Sequence, residues 1–184
     1  AIEAFIEPSP DRRDVAPDHF GACGGCMWLH FAYPAQAEWK QRFVRDSLAR
    51  IARIEAEIEW VERPEWRLGY RTRAEFHGRG GRLGFYAPGS HEVSAAGPCP
   101  LLHPRLVAAL ERLCGLGLDG PIDVVVNPDG SETLVWTRRP APALRKHFPA
   151  TAWPRHRSPR PAFSFDGVPV VCGIFSQSSL LLNR

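Results

Sequence analysis

His19-Phe20-Gly21-Ala22-Cys23-Gly24-Gly25-Cys26-Met27-Trp28 is the stretch from which the rest of the chain takes its meaning. Cys23 and Cys26 are separated only by glycines, which let a backbone wrap so that both sulfurs point at one centre. Converging thiols are what a metal ion or an iron–sulfur cluster asks of a Cys-x-x-Cys pair. A redox dithiol or two structural cysteines use the same spacing. A redox pair usually opens a helix after a strand, whereas a glycine-rich loop surrounds this one.

The surrounding chain narrows the choice. With five cysteines, an odd number, a disulfide framework fits poorly, and metal ligation in a reducing, cytoplasmic setting fits better. No apolar run approaches the roughly 18 residues of a membrane span, and Ala1-Ile2-Glu3-Ala4-Phe5 lacks the pattern of a secretory signal. The net charge of +3 hides an asymmetry: Thr133 to Phe165 contains no Asp or Glu. That block holds Arg138, Arg139, Arg145, Lys146, Arg155, Arg157 and Arg160, interleaved with Trp136, Phe148, Trp153 and Phe163. Cations alternating with aromatics favour nucleic acid, although a solvated proline-rich loop has the same composition.

Periodicity divides the chain into short elements. Ile2 to Ile6 reads as a short strand, and residues 11–26 as a loop. Pro34 to Arg53 reads as a helix, with Pro34 in its first turn and Ala37, Trp39, Phe43, Val44, Leu48 and Ile51 as the apolar stripe. Its other surface carries Lys40, Arg42, Arg45, Arg50 and Arg53. Ile58–Val61 suggests a strand, Gly69–His77 a firmer one, and Leu83–Ala87 its return after the Gly78–Gly81 turn. A further strand around His91–Ala95 precedes Cys99, which Pro98 and Pro100 set in a turn. Pro104 to about Leu116 is a second helix, ended by Gly115 and Gly117. Ile122–Val126 and Thr133–Thr137 form a hairpin, and Ala162–Phe165 pairs with Val168–Cys172 around Asp166-Gly167. Ser178 or Ser179 caps a turn begun by Leu180, Leu181 and Leu182, which a single turn cannot bury unaided. This pattern reads as the threshold of a further domain.

In this order the motifs resemble the front part of the RNA (uracil-C5)-methyltransferases, the S-adenosylmethionine-dependent enzymes that make 5-methyluridine in rRNA and tRNA. The resemblance runs from about residue 7 onward. It rests on Cys23-Gly24-Gly25-Cys26 with His30, Tyr33, Gln36 and Lys40, on Tyr70-Arg71 with Phe76, and on Gly84-Phe85 with Gly89-Ser90-His91. Cys99-Pro100 and then Phe175 with Gln177 complete it. It implies an α+β fold, with a small antiparallel sheet and two main helices, forming the central domain ahead of a Rossmann-like catalytic domain. Residues 1–10 would be the tail of an RNA-binding barrel, 11–165 the central domain, and 166–184 the start of the methyltransferase domain. The family's nucleophilic cysteine and carboxylate base lie in that later domain. Cys114 and Cys172 match neither, and are expected to be buried structural thiols with no catalytic role.

By the same resemblance Cys23, Cys26 and Cys99 are ligands of a [4Fe-4S] cluster, Gln177 contacts S-adenosylmethionine, and RNA is held by Arg71, Arg73, Lys40 and Phe85. Two departures stand out. The first cluster cysteine is replaced by Pro17, leaving Asp18 or His19 as substitutes, a labile three-ligand site or an empty one. Ser179 stands where the family often has Asn. A metal-stabilised RNA-binding module with no catalytic partner is the other reading these residues allow.

Overall fold

The computed structural model describes residues 6–15, 20–95, 97, 99–154 and 159–183. The Ile2–Ile6 strand, Pro17, Asp18, His19, Arg155, His156 and Arg157 therefore lie wholly or largely outside the described residues.

Six strands make one sheet: β1 (Arg73–Arg79), β2 (Arg82–Tyr86), β3 (Val93–Ala95), β4 (Gly120–Val126), β5 (Thr133–Thr137) and β6 (Thr151–Ala152). Their order is β3-β2-β1-β4-β5-β6, antiparallel except for the β5–β6 pair. The β1–β2 hairpin turns at Gly80 and Gly81, whose φ values of +57° and +77° suit the tight turn that follows strand twist. Helix α1 (Tyr33–Ser47) runs on through a π turn (Leu48–Ala52), and α2 is Pro104–Leu113. His103 caps α2, its Nδ1 accepting the Arg105 N–H at 3.3 Å. Burial, with Arg105 nearby, lowers the pKa of His103 and keeps that acceptor unprotonated.

Alternation along the strands splits the sheet into two faces. Ala74, Phe76, Ile122, Val124, Val126 and Val135 face α2, whose Leu106, Ala109, Leu110 and Leu113 complete the larger core. Leu144 and Phe148 join it, the former from a 3₁₀ turn at Pro142–Lys146. The opposite face carries Val125 and Leu134 under a separate hairpin, β7 (Ala162–Phe165) and β8 (Val168–Val171). Asp166 and Gly167, at φ +48° and +78°, make its two-residue turn. Phe163, Phe165, Val170, Cys172 and Leu180 fill this second core. The 165/166 position, expected as a domain boundary, falls inside that hairpin.

The α+β architecture with a mostly antiparallel sheet and two main helices is as expected, and several local readings change. Ile58–Val61 is not a strand, since no partner edge reaches it. The α1 stripe does not face a core within this chain: Trp39, Phe43, Val44 and Ile51 are exposed, and Ala35 is the buried residue of that helix. In the basic block, Phe148 and Phe163 are core residues, so their rings are not offered to a ligand. Leu180 is buried while Leu182 is exposed, and the Ser179 hydroxyl accepts the Leu182 N–H at 3.2 Å. No helix among the described residues is long and apolar enough to cross a membrane.

Candidate functional site at the cysteine loop

The cysteine loop is stitched to the end of β2 by the Gly24 N–H, which donates to the Tyr86 carbonyl at 3.2 Å. Within it the Gly25 N–H donates to Cys23 Sγ at 3.4 Å. The left-handed residue of this loop is Gly21, at φ +84°, and neither Gly24 nor Gly25 has a positive φ. The wrap thus begins two residues before the pair.

Cys99 arrives from the segment after β3. That segment is held against the entry of β1, where the Arg71 N–H donates to Leu101 and the Arg71 carbonyl accepts from His103. Cys23 and Cys26 are buried and Cys99 is half-buried. Burial, then the neighbouring Cys99 and Cys23, pushes the Cys26 thiol up to about 11, against the pull of the Arg71 charge. A hydrogen bond between the Cys26 and Cys99 thiols also favours the protonated form. The Arg71 Nε is buried beside this group and has no hydrogen-bond partner among the described residues.

The structure therefore brings Cys23, Cys26, Cys99 and Arg71 together. It does not make a four-ligand cluster site from them. Among the described residues, no three or more His, Cys, Asp or Glu side chains are placed to hold a metal ion. Pro17, expected from the resemblance at the place of a fourth ligand, has no ligating side chain.

The arginines assigned to RNA separate. Alternation puts Arg71 and Arg73 on one strand face, but β1 begins only at Arg73, and Arg71 pairs instead as a single bridge to Leu102. Arg73 is used internally. Its Nε and Nη2 donate to the Asp123 carboxylate at 2.9 and 2.6 Å, and its Nη1 donates to the Ile174 carbonyl at 2.6 Å and the Ser176 hydroxyl at 3.0 Å. Thr72 and Arg73 also donate their N–H groups to the Ser178 carbonyl. Arg73 is thus a clamp between the sheet and the segment that carries Gln177, which itself is exposed. Sequence reading missed Asp123, though a lone acid inside Ile122-Asp123-Val124-Val125-Val126 signals a buried partner.

Phe85 is half-buried, its ring 5.2 Å from that of Phe76 at the margin of the larger core. Neighbouring Tyr86 stacks on His77 at 3.8 Å. Lys40 is exposed, with Nζ 5.8 Å from the Trp28 ring centre. The two remaining thiols differ from each other. Cys172 is buried, its Sγ–H donating to the Val135 carbonyl at 3.0 Å, and burial with Asp123 nearby raises its pKa to about 12. Cys114 is exposed, against expectation, because α2 ends there and the chain turns outward at Gly115.

No protein-family model matches the chain. It is similar to an RNA methyltransferase of unassigned substrate from Nitratidesulfovibrio vulgaris, 41% identical over 104 residues, which are 53% of this chain and 22% of that protein. It is also similar to the 23S rRNA (uracil(1939)-C(5))-methyltransferase RlmD of Pseudomonas entomophila, 33% identical over 61% of this chain and 26% of that one. The alignments thus span about a quarter of those relatives' length. The fold is shared with the Pyrococcus abyssi tRNA (uracil-54, C5)-methyltransferase solved with S-adenosyl-L-homocysteine. The TM-score is 0.63 at 19% identity, covering 95% of this chain and 49% of that one. The resemblance that the motifs carry is therefore met again in sequence similarity to RNA methyltransferases.

Proposed function

We propose that this chain is a segment of an S-adenosylmethionine-dependent RNA (uracil-C5)-methyltransferase, whose own work is to hold RNA and to brace the approach to the catalytic domain. One observation carries the proposal: motifs in family order coincide with 33–41% identity to curated RNA methyltransferases. A uracil in folded RNA must leave its stack before C6 can be attacked, which costs a few kcal/mol. Contacts to phosphates and flanking bases offset that cost, and Lys40 and Arg71 are proposed to contribute. Gln177, whose neighbours Ser176 and Ser178 both accept hydrogen bonds from Arg73, is proposed to meet the cofactor.

The thiols described above support assigning the chemistry elsewhere. Cys172 keeps its proton at neutral pH and is sealed in a core, and Cys114 sits exposed at the end of α2. The nucleophile and base are assigned to a domain outside residues 1–184. The iron–sulfur part of the assignment lacks support from the donor set, since no three His, Cys, Asp or Glu side chains among the described residues are placed to hold a metal ion.

The test is methyl transfer by the natural full-length protein from labelled S-adenosylmethionine to transcribed 23S rRNA fragments and tRNA. Digestion and mass spectrometry then identify the product nucleoside. The expected product is 5-methyluridine on one of the two RNAs, with none formed by the 184-residue segment alone. Methylation of another base, or transfer by the segment alone, would overturn the assignment.

A further inference from the structure

We propose that the cleft between the cysteine loop and the start of α1 is a subsite for one unpaired nucleotide of an RNA strand, together with its phosphate. The cleft measures about 420 Å³, within the roughly 300–1,000 Å³ of small-molecule sites. Trp28, Tyr33 and Tyr70 supply aromatic wall, Arg13, Lys40 and Arg67 supply positive charge, and no Asp or Glu among the described residues lines it. A phosphate entering it therefore meets three cations.

The rings and cations are already arranged for stacking. The Arg67 guanidinium lies 4.2 Å above the Tyr33 ring centre, and Lys40 Nζ stands 5.8 Å from that of Trp28. A guanidinium plane backed by a ring is a surface on which an unstacked base settles. Glu62 pairs with Arg67 from outside the cleft, but both side chains are about two-fifths exposed, so a phosphate can compete with it at little cost.

The backbone that carries Trp28 is held before any ligand arrives. The Gln36 amide donates to the Trp28 carbonyl at 2.9 Å and to the Phe31 carbonyl at 2.7 Å, tying the loop to α1. Preorganisation of this kind reduces the ordering cost of binding. A concave pocket with ring faces needs a base free of its pairing partner, so duplex RNA is excluded by shape.

This subsite rests on the RNA-methyltransferase assignment, and the test separates the two. Fluorescence anisotropy would follow the natural full-length protein with a labelled ten-nucleotide single-stranded RNA, the same RNA annealed to its complement, and uridine monophosphate as competitor. Trp28→Ala should weaken single-strand binding roughly 5- to 150-fold, the range of one base–aromatic stack. Lys40→Ala should lower the slope of log affinity against log salt by about one phosphate contact. Trp28→Phe and Lys40→Arg, which keep ring and charge, should retain most of the affinity and control for misfolding. Unchanged affinity and salt slope in Trp28→Ala and Lys40→Ala, with RNA binding and methylation intact in the parent, would overturn the subsite alone. Absence of any RNA binding by the parent would overturn the wider assignment with it. Equal affinity for duplex RNA, or for uridine monophosphate, would refute the single-strand specificity.

Discussion

Replacing Arg73 with alanine should damage this fold more than any change to its exposed arginines. Arg73 and Asp123 side chains are only 17% and 9% exposed, and three arginine nitrogens serve Asp123, Ile174 and Ser176. Even with Arg73 present, burial outweighs its hydrogen bonds and charge and leaves the Asp123 pKa raised. The pair therefore specifies position more than it stabilises. Removing the cation alone strands a buried carboxylate, a change worth about 3–5 kcal/mol. For a domain of this size that is a fall of about 6–20 °C in Tm.

The pH dependence has a definite sign. A carboxyl with a raised folded pKa holds its proton more tightly when folded, so stability falls as pH rises from the ordinary carboxylate range through the folded value. In Arg73→Ala the two influences that lower the Asp123 pKa are gone, so the loss should be greatest at neutral and alkaline pH and shrink on acidification. Arg73→Ala with Asp123→Asn should recover much of it, since an amide carries no charge to desolvate. Thermal melts of the full-length parent, both single variants and the double variant at pH 5 and pH 8 measure this. An Arg73→Ala melt within about 2 °C of the parent, or a double variant no more stable than the single one, would refute the reasoning.

Four other outcomes are expected. Anaerobic reconstitution with iron and sulfide should give far fewer than four irons per chain, and Pro17→Cys should raise the number; about four irons in the parent by metal analysis would refute an empty or weakly filled site. Iodoacetamide at pH 8, followed by peptide mapping, should label exposed Cys114 and spare Cys172, whose thiol is buried and raised to about 12. Because the Cys26 thiol is held at about 11 rather than 9.0, its effect on stability should be absent below pH 9 and appear as a loss between pH 9 and 11. Gly78→Ala should cost roughly 1–3 kcal/mol or more in a denaturation experiment, because a Cβ there would run into the Leu118 carbonyl on a neighbouring backbone.

The hairpins were legible because their signals are local. Asp166-Gly167 requires positive φ at both turn positions, and flanking alternation sets the register. Helix α2 was legible for a similar reason, with Pro104 at its start and glycines past its end. The α1 stripe has a helical period, but period alone does not say what covers it, and in this chain Phe43 and Ile51 remain exposed. The two-residue strand β6 escaped notice because Thr151-Ala152 is too short to show alternation and is held by parallel pairing to Val135 and Trp136. In the basic block composition cannot tell core rings from exposed ones: Phe148 and Phe163 turn inward while Arg145, Lys146 and Arg160 are exposed.

What the sequence by itself determined is the order of the motifs and the positions of the turns, since each depends on residue type and spacing alone. Which cysteines meet, where Arg71 and Arg73 point and which rings are free were decided only by tertiary structure. Cys26 and Cys99 are 73 residues apart along the chain and meet only because one loop is tied to the end of β2 and the other segment to the entry of β1. Arg73 is drawn into a structural clamp because Asp123, on the adjacent strand, presents a carboxylate within reach of its guanidinium. Neither neighbour is encoded in the local pattern around the residue it controls.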